Sequence, residues 1–220
     1  MEENLDKQKS MFPYRELSEE PEINISGSVD GFGICSNGIC HTVNVASNTI
    51  IDGPCSFENC GNLKTVNFGQ NILITANNTF IGCSSLTTLN ASNRFRLFGN
   101  GTFARCGFRV LVIPTGTIFD KDYSFGECLG LVSVIIEDNV DFIGDNTFKD
   151  CSKLSIVCVG NNVRFLGNGT FVNCERLETL RIGNHVSILG EDNFTGCRNI
   201  TTSTYGDNYV FTDLSVTQNA

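Results

Sequence analysis

The sequence predicts an α/β repeat solenoid, built mostly of short parallel β-strands with one short helical or 3₁₀ turn in each 23-residue coil. Three observations carry this expectation. Phenylalanine returns at Phe57, Phe80, Phe103, Phe125, Phe148, Phe171 and Phe194, with one interval a residue short between Phe103 and Phe125. A cysteine follows each of them three positions later: Cys60, Cys83, Cys106, Cys128, Cys151, Cys174 and Cys197. Beyond each such pair the apolar period changes from three to two, as it does where a turn gives way to a strand.

The segment 147–168 shows the coil element by element. Phe148, Cys151 and Leu154 are spaced by threes, which predicts a short helical or 3₁₀ turn with one side inward. Thr147 precedes Phe148, and a hydroxyl also precedes Phe at Ser56, Thr79, Thr102, Ser124 and Thr170, a place suited to an N-cap. Val157 and Val159 then alternate with Ile156 and Cys158, so the first pair faces inward and the second outward along a strand. A Gly-Asn turn leads to a second short strand with Val163 and Phe165 inward, and Gly167 closes the coil. Coils of this kind cannot bury their apolar residues alone; stacking buries them in ladders.

Extending the register gives the domain organisation. Residues 1–21 read as a flexible acidic leader and 22–213 as a single solenoid. Within it, 22–55 form an N-terminal capping coil, 56–193 six regular coils and 194–213 a C-terminal capping coil, before a tail at 214–220. In the first cap Val43 and Val45 lie 23 residues before Val66 and Phe68, while Ile34 and Asn37 stand at the Phe and Cys places. In the last, Ser203, Tyr205, Tyr209 and Phe211 continue the register with more polar residues.

Charge and composition exclude several classes. The formal charge is -9, and Lys and Arg form no basic stripe, so nucleic acid and anionic membrane are poor partners. Met1–Glu22 holds seven acids against three bases, and it lacks the apolar stretch of a signal peptide. With no run long enough to span a bilayer, and with eleven cysteines, a reducing cytoplasmic location is the default expectation. His41 and His185 lie about six coils apart, and no catalytic triad, P-loop or dinucleotide fingerprint can be assembled. The chain reads as a non-enzymatic protein without a cofactor.

The unit F-x-x-C-x-x-L-x-x-V-x-hydrophobic, followed by N-V-x-hydrophobic-I-G, resembles the BspA-like, or Treponema pallidum-type, leucine-rich repeat. The resemblance is carried most closely by Phe148, Cys151, Leu154, Val157 and Gly167, and by Phe171, Cys174, Leu177, Leu180 and Gly190. It spans roughly residues 34–212. It implies a curved solenoid with a parallel sheet on its concave face, and a cell-surface or secreted protein active in adhesion.

Four sets of residues are candidates for function. The cysteine ladder reads as small buried hydrophobes, and Cys35, Cys40, Cys55 and Cys158 show no zinc spacing. Asn77, Asn100, Asp122, Asp145, Asn168 and Glu191, three before each Phe, read as turn residues in preference to a row of calcium ligands. Asn-x-Ser/Thr sequons such as those at Asn77 and Asn168 follow from the same turn composition. The outward positions of the first strand are more informative. Val110, Val112, Ser133, Ile135, Ile156, Cys158, Thr179 and Arg181 form a candidate partner-binding face, apolar in its middle coils. The partner is expected to be another protein, or a second copy of the chain in an assembly role.

Overall fold

The structure, a computed structural model, describes residues 22–29, 40–53, 57–91 and 94–211. The leader, Ile34, Asn37, Cys35, Cys55, Ser56 and the tail lie outside the described residues. Among the described residues eighteen strands follow one another: β1 (Glu22–Ile25), β2 (Ser28–Val29), β3 (Thr42–Val45), β4 (Ile50–Ile51), β5 (Thr65–Phe68), β6 (Ile72–Ile74), β7 (Thr88–Ala91), β8 (Phe95–Leu97) and β9 (Val110–Ile113). The series continues with β10 (Ile118–Phe119), β11 (Ser133–Ile136), β12 (Asp141–Phe142), β13 (Ile156–Val159), β14 (Arg164–Phe165), β15 (Thr179–Ile182), β16 (Ser187–Ile188), β17 (Thr202–Tyr205) and β18 (Val210–Phe211). All described pairings are parallel, and each links a strand to its counterpart in the next coil, as Val134 beside Val157 and Val157 beside Leu180.

The even-numbered strands make one unbroken nine-stranded sheet from β2 to β18. The odd-numbered strands make two: four strands from β1 to β7 and five from β9 to β17. The break falls where the repeat is a residue short. Leu89 lies six positions after Cys83 but Leu111 only five after Cys106, and Phe108 takes the place that Leu86 or Leu131 fills elsewhere. Phe108 is fully buried, with its ring edge-on to Phe103 and Phe125 at 6.1 and 6.0 Å. At intact junctions two successive amides converge on one carbonyl, as Val132 and Ser133 N–H do on Arg109 C=O. No strand pairing joins β7 to β9 among the described residues.

The third side of each coil corrects the expectation of a helical turn: no helix occurs among the described residues. The Cys N–H does bond back to the Phe carbonyl, at 3.3 Å for both Cys83–Phe80 and Cys151–Phe148. Between them, however, lies a residue in the left-handed region: Asn59, Arg105, Glu127, Asp150 or Asn173, with φ of 53–61°. A right-handed helix cannot pass through such a residue, whereas a tight turn closed by that bond accommodates it. The Phe N–H is also engaged elsewhere, donating to the next coil; Phe80 reaches Thr102 C=O and Phe148 reaches Thr170 C=O, at 2.8 and 2.7 Å. The spacing of threes thus comes from a turn, and the α part of the expected class is absent.

The N-cap role is corrected with it. Thr79 and Thr102 do not accept from a helical N–H; their hydroxyls donate backwards to the carbonyls of Ala76 and Gly99, at 3.1 and 3.0 Å.

The core is a stack of rings. Phe57, Phe80, Phe103, Phe125, Phe148, Phe171 and Phe194 lie nearly parallel with centroids 4.9–5.4 Å apart. Phe119, Phe142 and Phe165 form a second stack at 4.9 and 4.8 Å. Both match the inter-strand spacing of about 4.8 Å, so one backbone repeat sets both ladders. The closing glycines keep the coils this close: a Cβ on Gly167 would stand 2.1 Å from Gly144 C=O, and one on Gly190 would stand 1.9 Å from Gly167 C=O.

Candidate functional site

Strand alternation places every second residue of the odd strands outward, and the pairing register arranges these residues in two columns. One runs Val110, Ser133, Ile156, Thr179; the other runs Val112, Ile135, Cys158, Arg181. Val110 is 56% exposed, Val112 44%, Ile135 42% and Ile156 39%. Ser133, Cys158 and Thr179 are half-buried and Arg181 is exposed. All eight predicted residues therefore share one face. The sequence placed the apolar part in the middle of a continuous sheet, but it begins at β9, the edge left by the break.

On the other side of the break the same positions are polar. Thr42, Thr65 and Thr88 form one column, and Asn24, Asn44, Asn67 and Asn90 the other. Each asparagine Nδ2 donates to the Oδ1 of the preceding one, at 2.9, 2.7 and 2.8 Å. Thr65/Asn67 and Thr88/Asn90 are recognisable in the sequence as outward pairs, but the amide chain is a product of register.

The remaining candidates resolve into structural ladders. Asn100 N–H donates to Asn77 Oδ1, Asp145 N–H to Asp122 Oδ1, and Glu191 N–H to Asn168 Oδ1, at 2.7–2.9 Å. These oxygens hold the next coil's backbone, and no cluster of three metal-ligating side chains occurs among the described residues. Cys83, Cys106, Cys128, Cys151, Cys158, Cys174 and Cys197 are thiols outside any disulfide. From Cys83 to Cys197 each ladder thiol donates to a Phe carbonyl of the preceding coil, as Cys83 to Phe57 and Cys197 to Phe171, at 3.0 and 3.1 Å. Burial pushes the Cys151 thiol up to about 12 and Cys128 upward too, while Cys174 is raised first by hydrogen bonding to the Cys197 thiol and then by burial. A thiol held protonated in this way is a poor nucleophile. Among the described residues, no helix is long and apolar enough to cross a membrane.

A solenoid of parallel strands with this repeat is of the leucine-rich-repeat type. The sequence pattern of the BspA type Leucine rich repeat region matches residues 19–122 and 99–216, in 6 copies, and the chain belongs to that family. It is also similar to a solved leucine-rich repeat protein from Bacteroides ovatus ATCC 8483, at 14% identity over 88% of this chain and 84% of that chain, with a TM-score of 0.26. No curated protein matches the chain. Leucine-rich repeat families in general supply modules for protein interaction or adhesion and are generally non-enzymatic.

Proposed function

We propose that this protein is a binding module that engages a protein partner through the outward face of β9, β11 and β13. The carrying observation is four aliphatic side chains, Val110, Val112, Ile135 and Ile156, each 39–56% exposed and held in register on an acidic chain. Neither column contains an acid from β9 to β15, so an apolar partner surface meets no buried charge there. Ser133, Cys158 and Thr179 contribute small polar contacts, and Arg181 supplies a charged rim. Binding of this kind suits the adhesion role that the family resemblance implies.

The test is the pair of substitutions Ile135→Glu and Ile156→Lys. Both side chains are exposed, so the melting temperature stays close to that of the parent. Cross-linking and capture of the bound protein is expected to fall at least about tenfold, the usual cost of charging an interface centre. Undiminished capture would overturn the proposal. Light scattering over a concentration series separates self-association: a parent that dimerises, with a monomeric variant, assigns the face to a second copy.

A further inference from the structure

A second surface lies on the continuous sheet, away from the odd-strand face. On β6 and β8 and their flanks, alternate residues of two adjacent rungs point outward in three lateral pairs: Asn71 with Arg94, Leu73 with Arg96, and Thr75 with Phe98. Together with Ile72 beneath them they line an open hollow of about 460 Å³. That volume falls within the range of about 300–1,000 Å³ found for small-ligand sites.

The two arginines distinguish the place. The same outward column continues through Ile118, Asp141 and Arg164. There Arg164 is neutralised by its lateral neighbour, with Nε 2.6 Å from Asp141 Oδ1. Arg96 has Leu73 on one side and Ile118 on the other, so register gives it no acid. Neither Arg94 nor Arg96 makes an ion pair or hydrogen bond among the described residues. The two carboxylates in the columns bordering the hollow are engaged elsewhere. Asp52 accepts the Ser28 hydroxyl at 3.1 and 3.2 Å, and Asp120 lies 3.4 Å from Lys121 Nζ. Two uncompensated guanidiniums two residues apart, beside a half-buried aromatic ring and a leucine, therefore stand on a chain whose net charge is -9.

We propose that the hollow over β6 and β8 binds an oxyanion carried on an apolar body. Arg94 and Arg96 hold the anion, and Leu73 and Phe98 support the body. Guanidinium presents paired N–H donors that match the two oxygens of a carboxylate or the edge of a phosphate or sulfate. Leu73 beside Arg96 and Phe98 next along the same rung select ligands in which the anion is attached to a ring or short hydrocarbon. Asn71, whose Nδ2 also donates to Asn48 Oδ1 at 3.0 Å, and Thr75 add exposed amide and hydroxyl groups at opposite ends of the same rung.

The experiment titrates the full chain with four probes, read by backbone amide and arginine Nε shifts: phenyl phosphate, phenylacetate, inorganic phosphate and benzyl alcohol. Saturable shifts centred on 71–75 and 94–98 are expected for one or both aromatic anions, with a Kd of about 1 mM or tighter. The stronger of the two distinguishes phosphate from carboxylate as the natural group. Arg94→Gln with Arg96→Gln is expected to weaken that binding at least about tenfold with an unchanged melt, because both side chains are exposed. Arg164→Gln, which removes a paired arginine, leaves it intact. The proposal is overturned if benzyl alcohol or inorganic phosphate binds as tightly as the aromatic anions. It is equally overturned if the double variant retains binding, or if no probe shifts these residues.

Discussion

The sheet of β1, β3, β5 and β7 and the sheet of β9 to β17 share strand length, direction and inward pattern, yet present opposite chemistry to solvent. In the first, Thr65, Asn67, Thr88 and Asn90 face outward, and the amides bond along the stack. In the second, Val110, Val112, Ile135 and Ile156 occupy the equivalent places, and their exposed aliphatic side chains have no group to hydrogen-bond with. The backbone ladder is alike in both, and in both the inward residues pack on the core, half-buried in β1 and β7 and buried in β9 to β15, so outward side chains do not decide the fold. They are free to differ, and they differ across the one-residue deletion that separates the sheets. In the asparagine half, lateral partners occupy much of the polar capacity; in the aliphatic half, apolar area is left for something else to cover.

The largest expected effect is at the junction. Phe103 stacks on Phe80 and Phe125 and also touches Phe68 and Phe108, which ties the rings of the two halves together where their strands do not pair. Phe103→Ala is expected to cost about 3–5 kcal/mol in urea unfolding, as removal of a fully buried ring does. Amides of β7 and β9 should lose exchange protection before those of β13 and β15. A loss below about 1.5 kcal/mol would mean that the continuous even-strand sheet alone couples the halves.

Next comes the amide chain itself. Asn67→Ala removes the acceptor of Asn90 and the donor to Asn44, and is expected to cost about 0.5–1.5 kcal/mol, the net value of a hydrogen bond in partly exposed surroundings. Val112→Thr, at the same lateral place across the break, should stay within about 0.5 kcal/mol. Equal effects in denaturant melts would show that the polar face is no better bonded than the apolar one.

Much of this was legible in the sequence, for definite reasons. Phe, Cys and Leu at fixed places give the coil register, and alternation gives the faces, so all eight outward residues were placed together. The turn's closure is not legible there, because threefold spacing suits a helix as well as a closed turn. The discriminating signal was the residue between Phe and Cys, Asn or Gly at Asn59, Gly82, Asn173 and Gly196, all of which take positive φ. Arg105 and Glu127 obscured it by adopting that φ without being residues that favour it. The short interval before Phe125 was visible, but its effect on β7 and β9 depends on backbone hydrogen bonds that no residue pattern reports. The arginine hollow is silent in the sequence because two residues at i and i+2 make no basic run; only the register shows that Arg96 stands between uncharged neighbours.

The smallest effect sharpens the view that outward chemistry is free while inward chemistry is constrained, by testing where the constraint lapses. The hydroxyl before Phe is buried at Thr79, Thr102, Ser124, Thr147 and Thr170, but Thr79 donates to Ala76 C=O whereas the Thr147 and Thr170 hydroxyls have no partner among the described residues. A buried hydroxyl without a partner lacks its water bond and gains nothing in return, so an isosteric methyl should serve as well. Thr147→Val is expected to leave stability within about 0.5 kcal/mol or to raise it, while Thr79→Val should cost about 1 kcal/mol. Both variants keep the β-branched shape, so packing against the Phe stack is unchanged and the difference isolates the hydrogen bond. Chemical denaturation of the two proteins side by side decides the matter: equal losses would show that the Thr147 hydroxyl is satisfied after all.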